Sequence, residues 1–291
     1  MMVCPICQSV SKRLFQKDGY WILGCTKCHY EFLEERVERS HVDIVYGDDY
    51  FVGGGAGYPD YIASGGLVRA HGRRYGRIVS RFLEVGRVLD VGAAAGFFLS
   101  GLQDCGWKGD GTEPNEKMAS FARDQLGVNV QCGTLESLPD GIRQQRYDLV
   151  TMIQVVPHFY DIHEAFRQAV GVTKENGYWL IETWDRESLS AKWFGQHWHE
   201  YSPPSVLRWF SRRNLEELCR QYGFQRVATG RPQKWISGAH AKSLMRYKLE
   251  NFPLRRISSS LLNLVPDRLN IPYPSEDLFW ILLKRTDGGE G

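Results

Sequence analysis

The sequence predicts an α/β protein whose largely parallel sheet follows a small, metal-held N-terminal module. Three observations predict it. From residue 64 onward, short β-branched runs alternate with helical patterns, the rhythm of βαβ units. Arg87-Val88-Leu89-Asp90-Val91 reads as a buried strand and passes through Gly92, Ala93, Ala94, Ala95 and Gly96 into a helix opening at Phe97. Cys4-Pro5-Ile6-Cys7 and Cys25-Thr26-Lys27-Cys28 are C-x2-C pairs with seventeen residues between them, a spacing typical of zinc sites.

The chain has 291 residues, 43% of them hydrophobic and 13% aromatic, enough for a sizeable core. A net charge of +2 names no partner. No window approaches the roughly eighteen apolar residues of a membrane span, and no basic-then-apolar leader opens the chain. A cytoplasmic location is therefore expected, where a disulfide framework is disfavoured and thiolate–metal bonds are preferred. Cys105, Cys132 and Cys219 stand alone and read as small buried hydrophobes.

Residues 1–32 read as a zinc ribbon. Runs at 12–15 and 20–23, parted by Lys17-Asp18-Gly19, form a hairpin too small for its own core, so Cys4, Cys7, Cys25 and Cys28 are expected to hold structural zinc. Four thiolates close the coordination sphere and leave no catalytic position. Residues 33–63 read as a linker or lid. From Glu31 to Asp60 there are eight acidic residues against Arg36 and Arg39, and glycines alternate with aromatics over 46–58.

Residues 64–85 carry apolar side chains at helical spacing. After the strand–loop–helix at 87–105, Trp107–Glu113 is a second strand and Pro114–Leu126 a helix stopped by Gly127. Strands follow at 128–132 and 146–154, a helix over 161–174, and a strand at 177–183. A helix is predicted over 205–222, a strand over 224–229, a helical insertion over about 230–276, and a closing strand over 277–284.

Small residues between a strand and a helix let a ligand approach free backbone N–H groups, which suits a nucleotide or nucleoside. The loop lacks the full G-x-G-x-x-G of dinucleotide folds, and no phosphate-cradling G-x-x-x-x-G-K-[ST] occurs. Glu113 lies 21 residues after Gly92, where such folds place an acid for ribose hydroxyls.

With Asp90 two residues before Gly92, this stretch resembles motif I of class I S-adenosylmethionine-dependent methyltransferases, and Tyr147-Asp148-Leu149-Val150 resembles a later strand motif. The resemblance covers roughly residues 64–285; together with the ribbon and the aromatic, histidine-rich loop it points to a bacterial subgroup acting on sugars and other small metabolites. It implies a Rossmann-like seven-stranded sheet of order 3-2-1-4-5-7-6 with the last strand antiparallel. It also implies S-adenosylmethionine as cofactor, held by Asp90, Gly92, Ala94, Gly96, Glu113, Thr134, Leu135 and Gln154. Ala94 stands where the family has its middle glycine, and Thr134 where many relatives carry an acid.

Three histidines are candidate acid–base groups. His158 falls on a histidine of similar proteins, at the carboxyl end of a central strand. His197 and His199 lie with Glu200 in the aromatic loop 184–204. Their H-x-H spacing is metal-like, but the sequence marks no further ligand beside it. From Ser205 to Arg256 there are twelve basic residues against three Glu, which reads either as a solvated face or as attraction to an anion. The expected function is O- or C-methylation of a small-molecule acceptor, a sugar or an anionic metabolite. The alternatives are an RNA methyltransferase gripping its substrate with the ribbon and basic stretch, or a non-catalytic S-adenosylmethionine-binding partner.

Overall fold

A computed structural model describes residues 2–35, 37–45, 61–233, 235–239, 241–242, 266–267, 269–273 and 275–286. The glycine-rich part of the expected lid, 46–60, and most of the expected helical insertion, 243–265, lie outside the described residues.

Strands β1 (Ser11–Lys17) and β2 (Tyr20–Cys25) pair antiparallel across Asp18-Gly19. Both turn residues have positive φ, +48° and +88°, as the tight hairpin turn signalled by D-G requires. β3 (Glu31–Leu33) joins β2, and helix α1 (Arg39–Val45) follows.

The main sheet starts after helix α2 (Gly65–Val79). It contains β4 (Arg87–Val91), β5 (Lys108–Glu113), β6 (Val130–Cys132), β7 (Tyr147–Ile153) and β8 (Thr173–Trp184) in parallel. Helices α3 (Phe97–Gln103), α4 (Glu116–Leu126), α5 (Asp140–Arg143) and α6 (Ile162–Val172) connect them. A short helix α7 (Leu189–Phe194), strand β9 (Arg208–Trp209) and helix α8 (Arg212–Arg220) precede β10 (Phe224–Gly230). A β11 (Trp235–Ser237)–β12 (Asn270–Pro272) ladder and the closing strand β13 (Leu278–Arg285) complete the chain. The sheet order, β6-β5-β4-β7-β8-β13-β10, is the expected 3-2-1-4-5-7-6, with β13 antiparallel to both neighbours.

Both sheet faces are apolar, as strands covered by helices on both sides must be. Val150, Met152, Trp179 and Ile181 pack under α6 and α8, with Trp179 stacked on Phe224. Val88, Leu149 and Leu180 pack under α2, α3 and α4. Strand alternation therefore turns Asp90, Thr151 and Glu182 to the second face.

One expectation fails for a physical reason. The helix predicted over 205–222 starts only at Ser211, which caps it reciprocally with Asn214. Before it, Val206, Leu207, Trp209 and Phe210 are all at most 3% exposed. A surface helix buries one stripe, whereas here four apolar residues of five between 206 and 210 are buried, and part of the run forms β9. β9 pairs with β3, so the ribbon's sheet is completed by a strand from the larger fold. Of the helical insertion expected over about 230–276, residues 238–239 and 241–242 are helical, the β11–β12 ladder joins its two described ends, and 243–265 lie outside the described residues.

Contacts from α8 hold the cysteine knuckles. Asn214 Nδ2 donates to the Cys28 carbonyl at 2.9 Å, and Gln221 Nε2 to the Ile6 carbonyl at 2.7 Å. Among the described residues no helix is long and apolar enough to cross a membrane.

Candidate active site

A cavity of about 320 Å³ runs along the carboxyl ends of the strands, a size within the range of small-molecule sites. At one end is the loop after β4. Gly92 and Gly96 have φ of +67° and +78°, a left-handed backbone that glycine adopts without a Cβ penalty. A Cβ on Gly92 would also strike Val155. Ala94 adopts φ +47° despite its methyl. Its N–H donates to Glu113 Oε2 at 2.9 Å, while the N–H of Asn115 donates to Oε1 at 2.9 Å. Glu113, 4% exposed, is thus fixed at the tip of β5 with acceptor capacity left on both oxygens. Asp90 accepts from Thr151 Oγ1 at 2.6 Å. Burial pushes both carboxyls up to about 7, Asp90 helped by the charge of Glu113.

Asp90, Gly92, Ala94, Glu113, Thr134, Leu135 and Gln154 all line this cavity, and so do His158 and His199. Gly96 does not; it caps α3 and packs against Ala122. His197 does not either, because it is exposed on the far side of its short turn. The H-x-H pair is therefore split. His199 Nε2 instead meets Glu200 Oε1 at 2.7 Å and Asp277 Oδ2 at 3.8 Å.

His158 Nδ1 lies 2.7 Å from the Ser205 carbonyl. A carbonyl only accepts, so Nδ1 carries the proton and Nε2 is the basic nitrogen. Burial lowers this imidazole to about 4, leaving it neutral through the physiological range.

A family model described as a methyltransferase domain matches residues 68–229, more than half of the chain. The chain belongs to the class I S-adenosylmethionine-dependent methyltransferases. It is 31% identical over 156 residues to an uncharacterized methyltransferase, YcgJ, of Bacillus subtilis, covering 51% of this chain and 60% of that one. It is 28% identical over 137 residues to a ubiquinone biosynthesis O-methyltransferase of Bradyrhizobium diazoefficiens, covering 45% and 50%. The chain thus spans half to three-fifths of the length of these curated relatives. Its fold is shared with a SAM-dependent methyltransferase of Thermotoga maritima, with TM-score 0.53, 21% identity, and coverage of 84% of this chain and 99% of that one.

In this methyltransferase the structure adds polar groups that sequence reasoning missed. Glu182 is fully buried in β8 and lines the cavity, as do His71 on α2 and Glu136 after β6. A signal for Glu182 was present: an acid inside the apolar run Trp179-Leu180-Ile181 must be paired to be tolerated. The described lining residues include five carboxylates, Asp90, Glu113, Glu136, Glu182 and Glu200, and no Lys or Arg. The anionic acceptor suggested by the basic stretch finds no counter-charge among them. Several of those basic residues are engaged elsewhere: Arg220 with Glu217, Arg226 with Glu216, and Arg212 over the Phe279 ring.

The four ribbon cysteines converge. Cys4 Sγ is 3.5 Å from Cys28 Sγ and Cys7 Sγ 3.4 Å from Cys25 Sγ, with all four sulfurs within 4.8 Å of one another. Backbone N–H groups of Ile6, Lys27 and Cys28 point at sulfurs of Cys4 and Cys25, which stabilises thiolate charge. The donor set fits a tetrahedral thiophilic ion.

Proposed function

We propose that this chain transfers the methyl group of S-adenosylmethionine to a hydroxyl of a neutral small molecule, and that its ribbon carries one structural zinc. The observation that carries this reading is the cavity that joins the Glu113 loop at one end to His158 and His199 at the other. The cofactor supplies an electrophilic methyl on a sulfonium. Glu113 binds ribose hydroxyls, Asp90 and its acidic neighbours favour the positive charge, and the apolar walls exclude water. His158 Nε2 and His199 are placed to orient the acceptor and take its proton. The O-methyltransferases among the relatives support oxygen as the acceptor atom, and the absence of Lys and Arg from the described cavity lining argues for an uncharged acceptor. In this reading the chain divides into the ribbon at 1–32, a connecting segment at 33–63 and the methyltransferase domain at 64–291.

Purified protein would be incubated with methyl-tritiated S-adenosylmethionine and panels of phenols, catechols, sugars and total RNA. Label in a hydroxylated small molecule supports the proposal. Label in RNA alone, or tight cofactor binding with no transfer to any panel, overturns it. Metal analysis of protein grown without added zinc is expected to return one zinc per chain, and a metal-free folded ribbon would refute that assignment.

A further inference from the structure

We infer that His71, held by Glu182, receives the α-ammonium group of the cofactor's amino-acid arm through its Nδ1 atom. The inference rests on the S-adenosylmethionine reading above.

Glu182 is 0% exposed and is surrounded by donors. His71 Nε2 lies 2.9 Å from its Oε2, Tyr75 Oη donates to the same oxygen at 2.5 Å, and Gln154 Nε2 donates to Oε1 at 2.8 Å. A buried carboxylate accepts, so Nε2 of His71 carries the proton, and in the neutral imidazole Nδ1 then presents a lone pair. His71 is 8% exposed, and among the described residues its Nδ1 is buried without a hydrogen-bond partner. A buried polar atom left unpaired is costly, because it has lost its water without gaining a partner. His71 is among the residues that line the cavity, so a donor bound there is near enough to satisfy this atom.

Its position selects the donor. α2 lies against α3, with the backbone of Gly72 on the Phe98 carbonyl and the His71 ring 6.0 Å from the Phe98 ring. Phe98 is in the first turn after the Gly92–Gly96 loop, so His71 sits behind the cofactor loop. Glu182 and Asp90 face the same side of the sheet. Along the strand order, Glu113 on β5, the β4 loop, Gln154 after β7 and Glu182 on β8 form a row of polar groups. With Glu113 on the ribose and Thr134 and Leu135 lining the β6 side of the cavity, the amino-acid arm would have the β7–β8 side left to it. His158 and His199 are instead held by Ser205 and Glu200, in the segment after β8. A lone pair beside an acid-lined wall without Lys or Arg suits an ammonium donor and not a carboxylate.

Calorimetry on the full chain tests this with S-adenosylhomocysteine and with 5′-methylthioadenosine, which keeps the nucleoside and thioether but lacks the amino-acid arm. His71→Phe is expected to weaken S-adenosylhomocysteine about tenfold and leave 5′-methylthioadenosine within about twofold. His71→Asn, which returns an acceptor oxygen near the Nδ1 position, recovers most of the loss. Unchanged S-adenosylhomocysteine affinity in folded His71→Phe overturns the inference, as does equal weakening of both ligands. Nitrogen NMR of ¹⁵N-histidine-labelled wild type needs no variant to fold. The His71 Nδ1 resonance should move on addition of S-adenosylhomocysteine and not of 5′-methylthioadenosine, and no movement refutes the contact. Failure of wild type to bind S-adenosylhomocysteine is a separate outcome, which removes the cofactor reading itself.

Discussion

At the proposed cofactor end of the cavity, polar groups are tied close to the strand tips that carry them. Glu113 is fixed by the N–H groups of Ala94 and Asn115, and Asp90 by Thr151 on the adjoining strand. At the proposed acceptor end, the histidines depend on segments that depend in turn on the ribbon. His158 is oriented by the Ser205 carbonyl. Two residues on, Leu207 accepts from Leu33 of β3 and donates to the Pro157 carbonyl. Glu31 of β3 pairs with Arg186 at 2.9 Å and accepts from Tyr201 Oη at 2.5 Å. One end is built by the sheet itself, the other with a module 155 residues away in sequence, joined to it through Glu31 and Arg186. Perturbing the ribbon should therefore disable the acceptor end and spare the cofactor end.

The largest effect is expected from Cys25→Ser. Losing one of four thiolates should release the proposed zinc, and metal binding in such modules is folding free energy. Zinc content and methyl transfer should fall to background, the melting temperature should drop, and S-adenosylhomocysteine affinity should stay within about threefold of wild type. Equal loss of cofactor binding in protein that remains folded would show that the two ends are not independent.

Glu31→Ala is a milder break at the same joint. Burial holds the Glu31 carboxyl above its usual range even with Arg186 beside it, which marks a costly site. Removing one partner of a buried pair typically costs about 3–5 kcal/mol, because the other charge is left unpaired. Thermal denaturation should register that loss, turnover should fall with it, and calorimetry with S-adenosylhomocysteine should not change.

The same contrast explains what the sequence revealed. The cofactor end was legible because local rules produce it: a β-branched strand, a small-residue loop and an acid at the next strand tip each need only their neighbours. Sheet order followed from the family resemblance built on those residues. The acceptor end was legible only as a composition. His197 and His199 look equivalent on paper, yet one faces solvent and the other meets Glu200 and Asp277, the latter 78 residues away from it. β9 is two residues long, and no periodicity in such a segment announces a pairing with β3. Likewise, His71 and Glu182 are 111 residues apart, so their contact becomes visible only once α2 lies on the sheet.

At the cofactor end, Glu113→Gln should weaken S-adenosylhomocysteine by about 1.5–3 kcal/mol, the range for hydrogen bonds to a charged group. With Asp90 and Glu113 both held near 7, wild-type affinity should also fall as pH is lowered from 8 to 6 and the carboxylates take up protons. The stability of the ligand-free protein has its own sign. Both carboxyls are raised from 3.8 and 4.5, so their contribution to the fold is full below about pH 4 and is lost as pH rises to 7. His158 is depressed from 6.5 to about 4, so its contribution is present above 6.5 and is lost as pH falls through 4. Glu113→Gln should therefore flatten the decline in melting temperature between pH 5 and 7, whereas His158→Asn should steepen it. An unaltered slope in the glutamine variant would show that Glu113 does not titrate there.

The smallest effect is the most local. Ala94 holds a left-handed backbone at φ +47°, which costs an L-residue about 1–2 kcal/mol. Glycine removes that strain but loses about 0.5–1 kcal/mol more chain entropy on folding. Ala94→Gly should then gain about 0.5–1 kcal/mol in denaturant unfolding. Position 94 uses its backbone N–H on Glu113, and glycine keeps that donor, so cofactor affinity should hold. A loss of affinity would mean that the Ala94 methyl, buried beside Tyr61 and Ala95, itself packs on the bound nucleoside, so that the proposed cofactor end depends on a side chain as well as on backbone.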